Sequence, residues 1–209
     1  MFQNRIDAGL QLAAKLSMYE YTQSIVLAVP RGGVPIAYII AKELRLPLDL
    51  VLIKKIGHPT NKEYAIGATS LTDYFVIPHA EVSQKYIDNE VEKVQMKLKE
   101  MYIKYMENKV PVNIEGKTVI VVDDGVATGN TLSSTINMLR KLKPTKIVIA
   151  VAVASKSAYQ MLKKIADEVV SVIIPEEFHG VGGFYQNFAQ VTDQEVMYYL
   201  GKIQKQQNA

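Results

Sequence analysis

The sequence predicts an α/β fold: an open, mainly parallel twisted sheet flanked by helices. Short, continuous apolar runs at 24–29, 117–123, 147–153 and 168–174 lack the alternation of a half-exposed strand, as strands covered on both faces do. Segments with helical spacing separate them, and strand–helix–strand order returns the chain to one sheet by right-handed crossovers. The 209 residues, at roughly 150 per domain, suit one domain carrying an insertion. Hydrophobic residues at 48% and charged residues at 22% exclude a disordered or collagen-like chain.

Within 4–17, Ile6, Leu10, Ala13, Ala14 and Leu16 recur at near-helical spacing and predict an outer helix, with 19–23 as a connection. The 24–29 strand is stopped by the turn Pro30-Arg31-Gly32-Gly33. A helix over 34–44 and a strand over 48–54 follow. Gly57, Pro59, Asn61 and Gly67 make 55–79 turn-rich, with room for a hairpin of 65–69 and 74–77. From 80 to 108 there is neither Gly nor Pro, and Val82, Tyr86, Val91, Val94, Leu98, Met101 and Tyr105 form one stripe of a long helix. Residues 56–110 therefore read as a lid and helical insertion, packed over the site or on a second subunit, within a single domain spanning 1–209. Strand 117–123, helix 130–142, strand 147–153, helix 157–165 and strand 168–174 continue the alternation. The glycine-rich, aromatic stretch after Pro175 and a helix at 193–202 form a small C-terminal hood over 175–203, and the Gln-rich end, 204–209, reads as frayed.

Cysteine is absent, which removes thiolate zinc sites, cysteine nucleophiles and disulfides and suits a reducing cytoplasm, the expected location. A net charge of +3 suits a phosphorylated small molecule and is too small to argue for a nucleic-acid partner. Arg5 and Asp7 stand where a secretory segment would be apolar, and no apolar run approaches the roughly 20 residues of a membrane span. His58, His79 and His179 show no metal-ligand spacing or partner arrangement.

The chemistry concentrates at 119–131, Val-Ile-Val-Val-Asp-Asp-Gly-Val-Ala-Thr-Gly-Asn-Thr. An apolar strand ends in two carboxylates, and a loop of small residues then enters a helix, at the sheet edge where open α/β folds bind ligands. Ala127, Thr128, Gly129, Asn130 and Thr131 can point several amides at one anion, and the helix dipole adds about 0.3–2 kcal/mol. Asp123 and Asp124 would repel a bare phosphate but suit hydroxyl groups. Acids for a sugar beside amides for its phosphate indicate a ribose 5-phosphate moiety. Gly129-Asn130-Thr131 lacks the lysine of a Walker loop, and Asp123-Asp124-Gly125 lacks the alternating oxygen ligands of an EF-hand. A helix-capping pair would need only one acid. Gly32 and Gly33 could bring backbone amides close to an anion, and a plain turn explains them nearly as well.

Residues 119–131 resemble the signature segment of type I phosphoribosyltransferases, which bind phosphoribosyl diphosphate (PRPP). Residues 28–35, 54–59, 66–68 and 188–196 are similar to a group of phosphoribosyltransferases of unassigned acceptor, so the resemblance spans nearly the whole chain. It implies that Asp123 and Asp124 hold the ribose 2′- and 3′-hydroxyls and favour the positive charge that develops on the sugar, and that Ala127 to Thr131 hold the 5′-phosphate. Arg31, Gly32 and Gly33 would wrap the diphosphate, with a cis peptide at Arg31–Gly32. Lys54 or Lys55, closing the second strand, would neutralise diphosphate, alternation letting only one face the site. Mg²⁺ is expected through PRPP, without dedicated protein ligands. Glu176, Phe184 and Tyr185 are candidate contacts to a small nitrogen acceptor, a nucleobase or related heterocycle, in nucleotide metabolism, although aromatic residues there could equally be core. Ala127 stands where hypoxanthine–guanine members place an aspartate, which disfavours 6-oxopurines. The implied activity is transfer of the 5-phosphoribosyl group with release of diphosphate, by a homodimer as in many members. A PRPP-binding regulatory module without transferase activity is the alternative from another class, and hydrolysis or phosphorolysis of a ribosyl phosphate a weaker one.

Overall fold

The computed structural model describes residues 1–207 apart from Glu63, Ala80 and Asn108. Its five-stranded sheet is parallel throughout, in the order β2 (Leu48–Leu50), β1 (Ser24–Ala28), β6 (Thr118–Val126), β7 (Lys146–Ala154), β8 (Glu168–Ile173). Every residue of β1 is buried, and in β7 only Lys146 is not. Each fully buried Val or Ile contributes about 1.5–3 kcal/mol, which is why these runs need no alternation. Helices α1 (Arg5–Lys15), α2 (Gly33–Glu43) and α6 (Asp193–Gln207) cover the face that carries Ile120 and Val122. Helices α4 (Asn130–Lys141) and α5 (Lys156–Leu162) cover the face of Val119 and Val121.

The strand expected at 48–54 stops at Leu50. Val51 N still donates to Ala28 O (3.0 Å), but the chain then leaves the main sheet through Leu52 and Ile53, ahead of Lys54 and Lys55. Lys54–Gly57 instead form β3, pairing antiparallel with β4 (Ala65–Thr69), which pairs in turn with β5 (Tyr74–Val76). The anticipated hairpin is thus present and gains a third strand. The long helix, α3 (Gln84–Met106), starts after Ser83, whose hydroxyl accepts from Tyr86 N (3.3 Å); the expected ends at Ala80 and Asn108 lie outside the described residues. Its buried stripe is Ile87, Val91, Val94, Leu98, Tyr102, Tyr105 and Met106, so Tyr86 and Met101 stand at the margin. Ile87 and Val91 pack on Ile56 and Ile66 of the small sheet, and the later residues join the main core.

At the N-terminus the stripe differs from the one expected. Ala8, Gly9, Leu12 and Ala13 are buried, while Leu10 is 48% exposed. A Cβ at Gly9 would stand 2.8 Å from Ile39 Cβ, so α1 lies hard on α2. Strand β6 runs three residues beyond the expected Asp123, through Val126, paired with β7 as far as Ala154. Helix α6 continues to Gln207 instead of fraying at 204; Asn208 and Ala209 lie outside the described residues. No helix among the described residues is long and apolar enough to cross a membrane.

Candidate active site

Both acids of 119–131 lie inside the last stretch of β6, and the pleat sends them to opposite sides of the strand. Asp124, on the α2 side, meets Arg5. Arg5 Nε and Nη2 both donate to Asp124 Oδ2 (2.9 and 2.8 Å), with the side chains 11% and 14% exposed. Asp123 Oδ1 accepts from Asp124 N (2.8 Å). Among the described residues, no side chain donates to Asp123 Oδ2 or Asp124 Oδ1, and the backbone N–H groups of Asp124 and Gly125 also favour the Asp124 carboxylate. Burial pushes both carboxyls up from the usual carboxylate range. Asp123 is raised further by its charged neighbour, whereas Arg5 pulls Asp124 back down.

Beyond Val126 the chain turns through Gly129 (φ +77°) into α4, and no side chain caps that helix. The amides of its first turn have no carbonyl to meet within the helix and point outward. Ala127, Thr128, Asn130 and Thr131 are exposed. Gly129 is buried, and a Cβ there would stand 2.3 Å from Met161 Cε. Ser155 fixes the loop from below: its N–H donates to Val126 O (2.9 Å) and its hydroxyl to Ala127 O (2.6 Å). The sequence reading missed Ser155, although a serine directly after an apolar strand and before a helix is a recognisable cap signal.

The Pro30–Gly33 turn lies against the acids. A Cβ on Gly32 would come within 2.1 Å of Asp124 Oδ2, and one on Gly33 within 2.4 Å of Val122 O. The two glycines therefore make room for β6 itself. Gly33 N already donates to Val29 O (3.0 Å), so its amide is not free for an anion. The cis peptide is Pro30–Arg31, one bond earlier than expected. Gly32 is already in helical conformation (φ −59°, ψ −36°), so the chain has turned before the Arg31–Gly32 bond. Arg31 Nη1 lies 3.4 Å from Asp193 Oδ1, at the start of α6.

Lys54 and Lys55 do not close a strand of the main sheet. Both are exposed at the start of β3, in register with Thr69 and Ala68, and unpaired among the described residues. Tyr185 is not available for stacking on a ligand: it is 5% exposed, packs between Phe2 and Phe188, and its hydroxyl donates to Asp124 O (2.7 Å). Burial raises its pKa, so the phenol stays a donor. Phe184 stacks on Phe178 (5.8 Å between centroids), and Glu176 is an exposed partner of Lys156. His58 and His79, scattered in the sequence, come together, both facing Glu81 Oε1 at 3.6 and 3.9 Å.

A parallel sheet with an acid pair at the end of its central strand, followed by an uncapped helix N-terminus, defines a class. Residues 2–188 match the family model described as the phosphoribosyl transferase domain, and the chain belongs to that family. Rv0571c of Mycobacterium tuberculosis (strain H37Rv), itself named only as a candidate phosphoribosyl transferase, is 33% identical over 98% of this chain. The chain spans only 47% of that relative's length. The crystal structure of TT1426 from Thermus thermophilus is 35% identical, with a TM-score of 0.86 over 96% of this chain and 98% of that one. AQ2163 from Aquifex aeolicus, 13% identical over 94% of this chain and 86% of that one, shares the fold at a TM-score of 0.52.

Proposed function

We propose that this chain transfers the 5-phosphoribosyl group of PRPP to a nitrogen nucleophile and releases diphosphate. One observation carries the reading: the last stretch of β6 carries two acids that each retain an oxygen free of side-chain partners, and a three-residue loop then enters an uncapped helix N-terminus. A ribose set across the strand end would meet Asp123 Oδ2 on one side and Asp124 Oδ1 on the other. Its 5′-phosphate would then accept from the amides of Thr128 to Thr131.

As the C1–O bond breaks, positive charge grows on the sugar and negative charge on the leaving diphosphate. The acid pair favours the first, and Arg31 with the amides of Arg31 and Gly32 favours the second. Lys54 and Lys55 are unpaired cations, among the described residues, that diphosphate could recruit. We assign Mg²⁺ to the substrate, as Mg–PRPP, where it would offset charge on the leaving diphosphate. We assign the small sheet β3–β5 to excluding water during transfer. Ala127 is exposed and offers only a methyl group to a base edge, which disfavours 6-oxopurine acceptors. Phe184 is the remaining aromatic candidate for stacking on the acceptor.

The test is calorimetry with Mg–PRPP followed by a diphosphate-release screen over purine, pyrimidine and other nitrogen acceptors. Binding with turnover on one acceptor is expected. Binding without turnover on any of them would favour the regulatory reading, and no binding would overturn the donor site. Asp123→Asn with Asp124→Asn should abolish PRPP binding in a folded protein.

A further inference from the structure

Arg5 lies one turn ahead of Ala8 and Gly9, on the buried face of α1. Besides its two bonds to Asp124 Oδ2, it donates through Nη1 to Ala189 O (2.8 Å), and its guanidinium sits 4.0 Å above the Phe188 ring. Its backbone is equally constrained. Asn4 caps α1 through Ile6 N and Asp7 N, and the preceding residues are zipped to the hood by Phe2 N→Phe184 O, Gln186 N→Phe2 O and Asn187 N→Gln3 O. The cation is thus clamped between hood and sheet, with both of its bonds to Asp124 on a single oxygen.

We propose that Arg5 is a positioning residue of the donor site: it pins Asp124 Oδ2 beside Gly32, turns Oδ1 toward the ribose, and keeps Asp124 ionised next to Asp123. This rests on the donor-site reading above. Two adjacent carboxylates, partly buried, repel each other and resist joint ionisation; one cation held on the second acid offsets part of that conflict. It also ties the hood to the donor acid, because Ala189 and Phe188 hold the same guanidinium.

The charged and titratable groups around Asp124 are Arg5 from α1, Asp123 from β6, Tyr185 from the hood and Arg31 on the adjoining turn, with Glu195 of α6 beside Arg5. Of these, only Arg5 touches the Asp124 side chain with positive charge. Without it, burial and Asp123 would drive the carboxyl higher, and the variant would lose its ionised acid at a higher pH than the wild type.

The test compares the full-length wild type with Arg5→Gln and Arg5→Lys by Mg–PRPP calorimetry from mildly acidic to mildly alkaline pH. Affinity of Arg5→Gln should fall away at a higher pH than in the wild type, by about tenfold per unit of displacement, and recover toward alkaline pH. Arg5→Lys, which keeps the charge and loses the double contact, should have a nearly normal pH profile with uniformly weaker binding. Carboxyl ¹³C titration of the ligand-free proteins reads the same displacement at Asp124 directly. Should Arg5→Gln fail to fold, Arg5→Lys carries the test: an affinity equal to that of the wild type would overturn the proposal. So would a folded Arg5→Gln with the wild-type pH profile. A wild type that does not bind Mg–PRPP would instead overturn the donor-site reading, while the ¹³C titration would still decide whether Arg5 holds Asp124 ionised.

Discussion

At Gly32 an added methyl group would stand 2.1 Å from Asp124 Oδ2, and at Gly129 one would stand 2.3 Å from Met161 Cε on a backbone with φ +77°. The consequences differ. Gly32→Ala should push the carboxylate out of its Arg5 contact, lowering Mg–PRPP affinity at least about tenfold and lowering the melting temperature as the partly buried pair is broken; calorimetry beside a thermal melt reads both. Gly129→Ala should cost about 1–2 kcal/mol of stability for its left-handed conformation alone, visible as a lower denaturant midpoint. Asp49 gives a pH test remote from the site. It is buried, accepting from Leu50 N (2.6 Å), Val112 N (2.8 Å) and Tyr102 OH (3.0 Å), and burial raises its pKa above 3.8. Its contribution to stability is therefore fully present below 3.8 and declines as pH rises through the raised value. The stability difference between wild type and Asp49→Asn should shift against the wild type along that path; a shift in its favour would contradict the assignment. Asp123 and Asp124 stood out as candidates because two acids in the last stretch of an apolar strand have few other uses, whereas Gly32 and Gly33 read equally as a plain turn and in the structure make room for β6. Arg5 was not: counting Leu10 and Ala14 into the stripe of α1 rotated the helix and hid an arginine on its buried face.

Among the elements, α3, α6 and the Pro30–Gly33 turn meet at one carboxylate. Asp193 accepts from Lys104 Nζ (2.5 Å) and Tyr105 OH (2.5 Å), with Arg31 at 3.4 Å. Hydrogen bonds from Lys104 and then Tyr105 hold it down at about 2. The junction should therefore be intact above the ordinary 3.8 and released as pH falls through about 2. Asp193→Asn should speed hydrogen exchange in the first turn of α6 at neutral pH, and an unchanged rate would show that the junction does not hold the hood. The small sheet invites the opposite measurement, since a water-excluding role requires its amides to become better protected when Mg–PRPP binds. Element boundaries were less legible than their order. Strand β6 keeps its ladder at Asp123, Gly125 and Val126 because β7 pairs alongside it, and residue polarity cannot show that. The 48–54 run looked continuous because apolarity does not reveal where a chain changes sheets.

For the whole molecule, the fold class followed from buried strands and helical spacers, which are properties of local sequence. The joining of its two ends did not. Phe2 bridges to Tyr185, and that pairing brings α1, the hood and the end of β6 to one place, so Arg5 reaches an acid far away in the sequence. The N-terminus of α4 follows the acid pair by chain continuity from β6, through a loop held by Ser155, and on this the functional reading rests. Amide NMR of the ¹⁵N-labelled chain, titrated with ribose 5-phosphate, examines it most directly. The resonances of Thr128 to Thr131 should shift together and saturate, and Asp123→Asn should weaken that binding without unfolding the protein. Saturating ligand with those amides unmoved, or with the shifts centred elsewhere, would contradict it.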